Sequence, residues 1–303
     1  MGPAKTTSAS VADRFRPRGR NWPLIFAYII ACGGATKTTT GTSLAVTMAL
    51  RGYSSVFMDL DANLSATKVL GYRTEHLKGR KTVFDLVTGK ATFEEVVVPA
   101  RYSLGEDEEG VEQFAEIPNL RLIPGSPALA GADTYIALDP DRNDWFMEFL
   151  HTYDGDDCVL HADFPASYGK MVYSVARMLD EDDSVIPSVR ADPKDVNMIP
   201  DLLEELAKIR EINKNKRSIP GRPTFEHLVL TGTPTASYTE AAPRRAVAKA
   251  EDLYPKQLLP KVRYSADAKK MYEDLVPLPI LLPNSYPAED YRKVATALGF
   301  KQL

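Results

Sequence analysis

Cysteine is scarce in this chain: it occurs twice among 303 residues, at Cys32 and Cys158. No CxxC pair and no His/Cys cluster accompanies them, so neither a disulfide framework nor a zinc site is expected. Long hydrophobic runs are missing as well. The longest near the N-terminus, residues 23–32, is about ten residues, too short to span a bilayer, and no stop-transfer segment follows. A Gly-Gly pair and a lysine come next, where a signal peptide would place small residues for cleavage. A reducing cytoplasm is the expected compartment. A strong excess of one charge is absent too, since the net charge is −4 and the pI near 5.7. Bulk charge therefore does not advertise nucleic acid, and any such contact must come from a local basic patch. What is present, 44% hydrophobic and 26% charged residues, suits a globular chain with a sizeable core.

Residues 1–21 carry Lys5, Arg14, Arg16, Arg18 and Arg20 against the single acid Asp13. They read as a flexible basic tail, either a DNA-touching arm or simply a solvated terminus. Residues 22–303 are expected to form one domain, with no internal repeat. Residues 24–30 are an unbroken apolar run, the pattern of a parallel strand buried on both faces. Gly33 and Gly34 interrupt it, a helix is expected over 38–51, and a second strand over 55–58 ends at Asp59. That is a βαβ unit. Residues 101–118, with Glu106, Asp107, Glu108, Glu109, Glu112 and Glu116, read as an exposed acidic loop before a short strand at 120–123. Further strands are expected at 158–162, ending in Asp163, and at 184–189, 228–230 and 280–282, with an amphipathic helix over 195–213. Such alternation predicts an α/β fold: a doubly wound, mostly parallel sheet with helices on both faces.

The strongest chemical signal is Ala31-Cys32-Gly33-Gly34-Ala35-Thr36-Lys37-Thr38-Thr39. Glycines after a strand let backbone N–H groups cradle phosphate oxygens, and the following helix adds its positive end. Gly33, Gly34, Ala35, Thr36, Lys37, Thr38 and Thr39 are the candidate nucleotide-binding residues, Lys37 for the β- and γ-phosphates and Thr38 for Mg²⁺. The general P-loop spacing asks for glycine at 31 and 36 and finds Ala31 and Thr36. Asp59 and Asp61 stand at the end of one strand and Asp163 at the end of another, where a doubly wound sheet gathers its ligand site. His161 has apolar neighbours and reads as a packed residue.

Gly33-Gly34-x-x-Lys37-Thr38-Thr39 after an apolar strand resembles the deviant Walker A box of the ParA/MinD family of P-loop NTPases. Asp59-Leu60-Asp61-Ala62-Asn63 looks like that family's Asp-x-Asp-Pro-Gln switch, with Ala62 for the proline and Asn63 for the glutamine. Residues 159–165 look like its Walker B strand. The resemblance implies ATP and Mg²⁺ as cofactors, with Thr38, Asp59 and Asp163 around the metal. It implies Lys37 and Asp61 as catalytic residues, Asp61 orienting the attacking water. It further implies a homodimer with ATP, non-specific DNA, and a ParB-like or cargo-adaptor protein as stimulating partner. Cys32 falls where the family carries a signature lysine that reaches the partner's nucleotide, and Lys170 is one candidate substitute. Basic residues for DNA are sought at Lys208, Arg210, Lys214, Lys216, Arg217 and Arg222, and at Arg244, Arg245 and Lys249. No amphipathic membrane-targeting helix closes the sequence, which favours the ParA-like branch, cytoplasmic and nucleoid-associated. The altered Cys32, Ala62 and Asn63 leave an alternative open: a nucleotide-binding scaffold that no longer hydrolyses.

Overall fold

The computed structural model describes residue 15 and residues 20–34, 36–214, 221–235 and 240–303. Ala35, Lys216, Arg217 and the tail residues Lys5, Asp13, Arg14, Arg16 and Arg18 lie outside the described residues.

The expected parallel core forms around β1 (Leu24–Tyr28), β2 (Ser55–Asp59) and, after the antiparallel pair β3 (Val98–Glu106) and β4 (Glu112–Ile123), β5 (Val159–Asp163) and β6 (Ser184–Val185). The sheet order is β3-β4-β2-β5-β1-β6, every pairing parallel except β3 with β4. β2 and β5 are buried at every position because helices cover both faces. Each large apolar side chain sealed in this way contributes about 1.5–3 kcal/mol relative to exposure. A small parallel pair, β7 (Ser188–Arg190) with β8 (Val229–Thr231), continues the layer beyond β6. The segment 184–190 changes partners at Pro187, whose missing N–H cannot serve a ladder. Ile186 N still donates to Ala27 O, while Pro187 O accepts from Val229 N.

Helix α1 (Lys37–Leu50) follows the phosphate loop and lies almost wholly buried against the sheet. Gly41 permits that approach, since a Cβ there would stand 3.0 Å from the Tyr28 ring and 3.2 Å from Phe57. Three other helices matter below: α2 (Lys170–Ala176), α3 (Ile199–Lys214) and α4 (Ala241–Leu253). The closing helix α5 (Tyr286–Ala297) packs on α1.

Four expectations are corrected. Residues 101–118 are not a loop but most of the β3–β4 hairpin, turning through Asp107–Gly110 and bulged between Pro99 and Arg101 and between Ser103 and Gly105. Alternating residues on a sheet edge tolerate many solvated carboxylates, so an acidic run does not exclude strands. Residues 280–282 are not a strand. Leu278–Leu281 is a short helix, with Ile280 N and Leu281 N both donating to Pro277 O. The helix expected over 195–213 is two, Pro193–Val196 and α3, and this division places Asp195 in the interior. Finally, Arg20 does not belong to a solvated tail. Its side chain is 7% exposed, the guanidinium bonds Asp180 and the fully buried Asp183, and Asp183 Oδ1 also accepts from Ile25 N at 2.9 Å. Arg20 therefore clamps the start of β1.

Candidate functional site at the phosphate loop

Strand register builds the site. Tyr28 of β1 and Asp59 of β2 are both level with Asp163 of β5. The loop leaving β1, the acid ending β5 and the Asp59–Asp61 turn therefore meet at one edge of the sheet, the carboxyl edge where doubly wound folds hold ligands.

In the loop, Gly34 has φ +71°, the left-handed region that glycine occupies without a Cβ penalty. Thr36, where the general motif has glycine, sits at φ −78°, so no glycine is required there. Its hydroxyl hydrogen-bonds Ser188 Oγ at 2.9 Å and Thr231 Oγ1 at 2.7 Å. Thr40 Oγ1 extends the chain to Ser188 Oγ at 2.7 Å and Tyr291 OH at 3.0 Å. Thr39 Oγ1 bonds Tyr272 OH at 2.8 Å. Lys37 is buried, and its ammonium donates to Ile30 O and Cys32 O, both at 3.1 Å. Burial pulls its pKa down, and Asp163 is the main group opposing that. Two carbonyls of the loop hold the amine inside the ring of backbone it would share with phosphate oxygens.

Thr38 Oγ1 donates to Asp163 Oδ2 at 2.6 Å. Asp163 is fully buried, and its Oδ1 has no hydrogen-bond partner among the described residues. Burial first, then the neighbouring Asp59, push its pKa upward. A buried carboxylate with one free oxygen, joined to the threonine after the loop lysine, is a donor set suited to a hard divalent cation such as Mg²⁺. These residues fit the metal. Asp59 serves differently. Its Oδ1 accepts from Asp61 N at 3.1 Å, and its Oδ2 from Thr67 N at 2.8 Å and Thr67 Oγ1 at 2.6 Å. Burial raises its pKa to about 6. With both oxygens engaged, it shapes the turn that carries Asp61. Asp61 is half-buried, accepts from Asn63 N at 2.9 Å, and faces a small cavity with Asp133, Pro165, Ser167 and Gly169.

His161 is the packed residue expected. It stacks between Tyr28 and Phe57, with Nδ1 2.8 Å from Tyr28 OH, and burial lowers its pKa to about 3. Lys170 is exposed at the first position of α2. Cys32 is buried, and its thiol donates to Asp195 Oδ1 at 3.3 Å. Sequence reasoning missed Asp195 and its partner Arg190. Their one signal was an acid two residues past Pro193, at the mouth of a strand.

The basic groups are dispersed. Lys208 pairs with Glu205 and Lys214 with Glu211 on their own helix, and Arg210 donates to Pro223 O. Arg222 is exposed, as are Arg244 and Arg245 on α4, while Lys249 donates to Asn197 Oδ1. Among the described residues no helix is long and apolar enough to cross a membrane.

A parallel sheet with a glycine loop, a buried loop lysine and a Thr–Asp pair at its carboxyl edge defines a P-loop nucleotide-binding protein. Residues 25–219 match the family described as AAA domain, and the chain belongs to it, as a P-loop ATPase of the ParA/MinD family. It is 28% identical over 137 residues to the cell division protein PomZ of Myxococcus xanthus, a match spanning 45% of this chain and 38% of PomZ, less than half of that relative's length. The fold is that of a Cyanothece McdA solved with ATP, at TM-score 0.73 and 19% identity, covering 93% of this chain and 98% of the other. It is shared with cobyrinic acid a,c-diamide synthase from Mycobacterium smegmatis, solved with ADP and magnesium, at TM-score 0.67 and 19% identity over 91% of this chain and 94% of the synthase. One fold thus carries both McdA and a synthase, and function has to be argued from the site.

Proposed function

We propose that this chain is an ATP- and Mg²⁺-dependent switch that dimerises on ATP, binds DNA without sequence preference and hydrolyses slowly when a partner protein stimulates it. Its role in that reading is the partition of plasmid or chromosome DNA, or the positioning of a large cargo on the nucleoid. The observation that carries it is the Thr38–Asp163 pair, with one carboxylate oxygen left over, beside the buried Lys37. Thr38 and Asp163 would hold Mg²⁺, which neutralises charge on the transferring phosphoryl group. Lys37 exchanges its two carbonyl partners for phosphate oxygens, and Asp61, set by the Asp59 turn, orients the attacking water. The exposed Arg222, Arg244 and Arg245 are the basic side chains that this reading offers to DNA phosphates.

Two relatives support this reading by name, a cell division protein and a chromosome partitioning protein, both of Myxococcus xanthus. A second reading, the non-hydrolysing scaffold, draws on the buried Cys32 in place of the signature lysine and on Ala62 and Asn63. Steady-state ATP hydrolysis with and without plasmid DNA, beside a Lys37→Ala control, separates the two. Turnover abolished in the control supports the switch, and stimulation by DNA supports the partition role. ATP binding without turnover above the control selects the scaffold.

A further inference from the structure

The position that carries the family's lysine holds a thiol that points into the protein, so the question is which cation faces the loop's phosphate cradle beside Lys37. Asp195, to which Cys32 donates, has a fully buried side chain. It grips Arg190 with two bonds, Oδ2 to Nε at 2.8 Å and Oδ1 to Nη2 at 3.2 Å, and Oδ2 also accepts from the Arg190 backbone N at 3.3 Å. The arginine side chain nevertheless stays 48% exposed. Its remaining corner, Nη1, lies 3.9 Å from where a Cβ on Gly34 would stand, with Cζ at 4.0 Å. A fixed, planar cation therefore lies against the glycine backbone of the phosphate loop. The share of the arginine side chain that lies in water discounts what this pair adds to stability. As a pre-oriented donor it is strong, because a guanidinium held along one edge presents the other to an oxyanion at little entropic cost.

We propose that Arg190 is a phosphate-binding residue acting within its own subunit, supplying to the bound nucleotide the positive charge that Cys32 lacks, with Asp195 as its positioning residue. This rests on the nucleotide-binding reading above. The test is calorimetric titration of Mg²⁺-ATP into the full chain at two or three salt concentrations, for wild type, Arg190→Gln, Arg190→Lys and Lys37→Ala. The expected result is at least a tenfold loss of affinity in Arg190→Gln, a smaller loss in Arg190→Lys, and a shallower salt dependence in Arg190→Gln, which a purely structural role would not produce. Affinity within twofold of wild type, or an unchanged salt slope, in Arg190→Gln overturns the assignment while Lys37→Ala still loses ATP. Wild-type affinity in Lys37→Ala overturns the nucleotide site itself. Should Arg190→Gln fail to fold, the uncharged Arg190→Met carries the same two measurements.

Discussion

The two flanks of the phosphate loop are made of opposite materials. Toward β5 and β2 the loop meets buried carboxylates, Asp163 and Asp59, with apolar strands behind them. Toward β7 and β8 it meets hydroxyls, Thr36 with Ser188 and Thr231, and the ion pair of Asp195 with the half-exposed Arg190. The first flank keeps the family's acids, and there a charge is held at a cost because burial disfavours it. The second differs: Thr36 stands where the general motif has glycine and Cys32 where the family has lysine, and each is bonded by its neighbours there. A motif is therefore not one unit. On the proposed function its carboxylate side is constrained by the chemistry of a divalent cation, whereas its other side needs only a stable loop and a cation within reach, which different residues can supply.

The sharpest way to break this contrast is Asp163→Asn on the carboxylate flank. Mg²⁺-dependent turnover should drop roughly 10–100-fold, while nucleotide binding without metal changes little. Equal losses with and without Mg²⁺ would put Asp163 outside the metal's surroundings. Next comes the core behind that flank. His161 has a folded pKa of about 3 against about 6.5 unfolded. Its contribution is fully present above about pH 6.5 and is lost as pH falls toward 3, because the unfolded chain takes up a proton that the folded one refuses. At pH 4 this linkage is worth about 3 kcal/mol. His161→Phe should flatten the acid limb of a urea-denaturation series, and an unaltered limb would show that other groups dominate it.

On the opposite flank, Asp195→Asn weakens charged hydrogen bonds to Arg190. It should lower unfolding stability by about 1.5–3 kcal/mol, less if water compensates the exposed guanidinium. Thr36→Gly is the mildest change. It restores the general motif's glycine yet removes two hydroxyl bonds, so a loss of about 1–2 kcal/mol is expected in chemical denaturation, with ATP affinity retained. A gain in stability would mean that Thr36 is strained there and that the hydroxyl chain does not hold the loop.

Much of the carboxylate flank was legible beforehand. Apolar runs closed by a single acid at 59 and 163, and a lysine-threonine pair after glycines, are local patterns with one stereochemical outcome. The hairpin was not legible, because its solvated carboxylates mask the alternation of an edge strand. Nor was the helical turn at 278–281, where an apolar triplet matches either period until the prolines around it leave no ladder to join. Arg20 read as a tail charge because its acids lie 160 and 163 residues away.

Sequence alone thus determined the parallel α/β layer, the phosphate loop and the acids facing it, since each follows from spacing along a few consecutive residues. Only tertiary structure decided what those residues do beside one another. Register set Asp59 level with Asp163, a hydroxyl chain explained Thr36, and a buried Asp195 took the Cys32 thiol and aimed Arg190 at Gly34. All but the Arg190–Asp195 grip depend on contacts between residues more than 100 positions apart, and the pattern of neighbours along a chain carries no direct record of them.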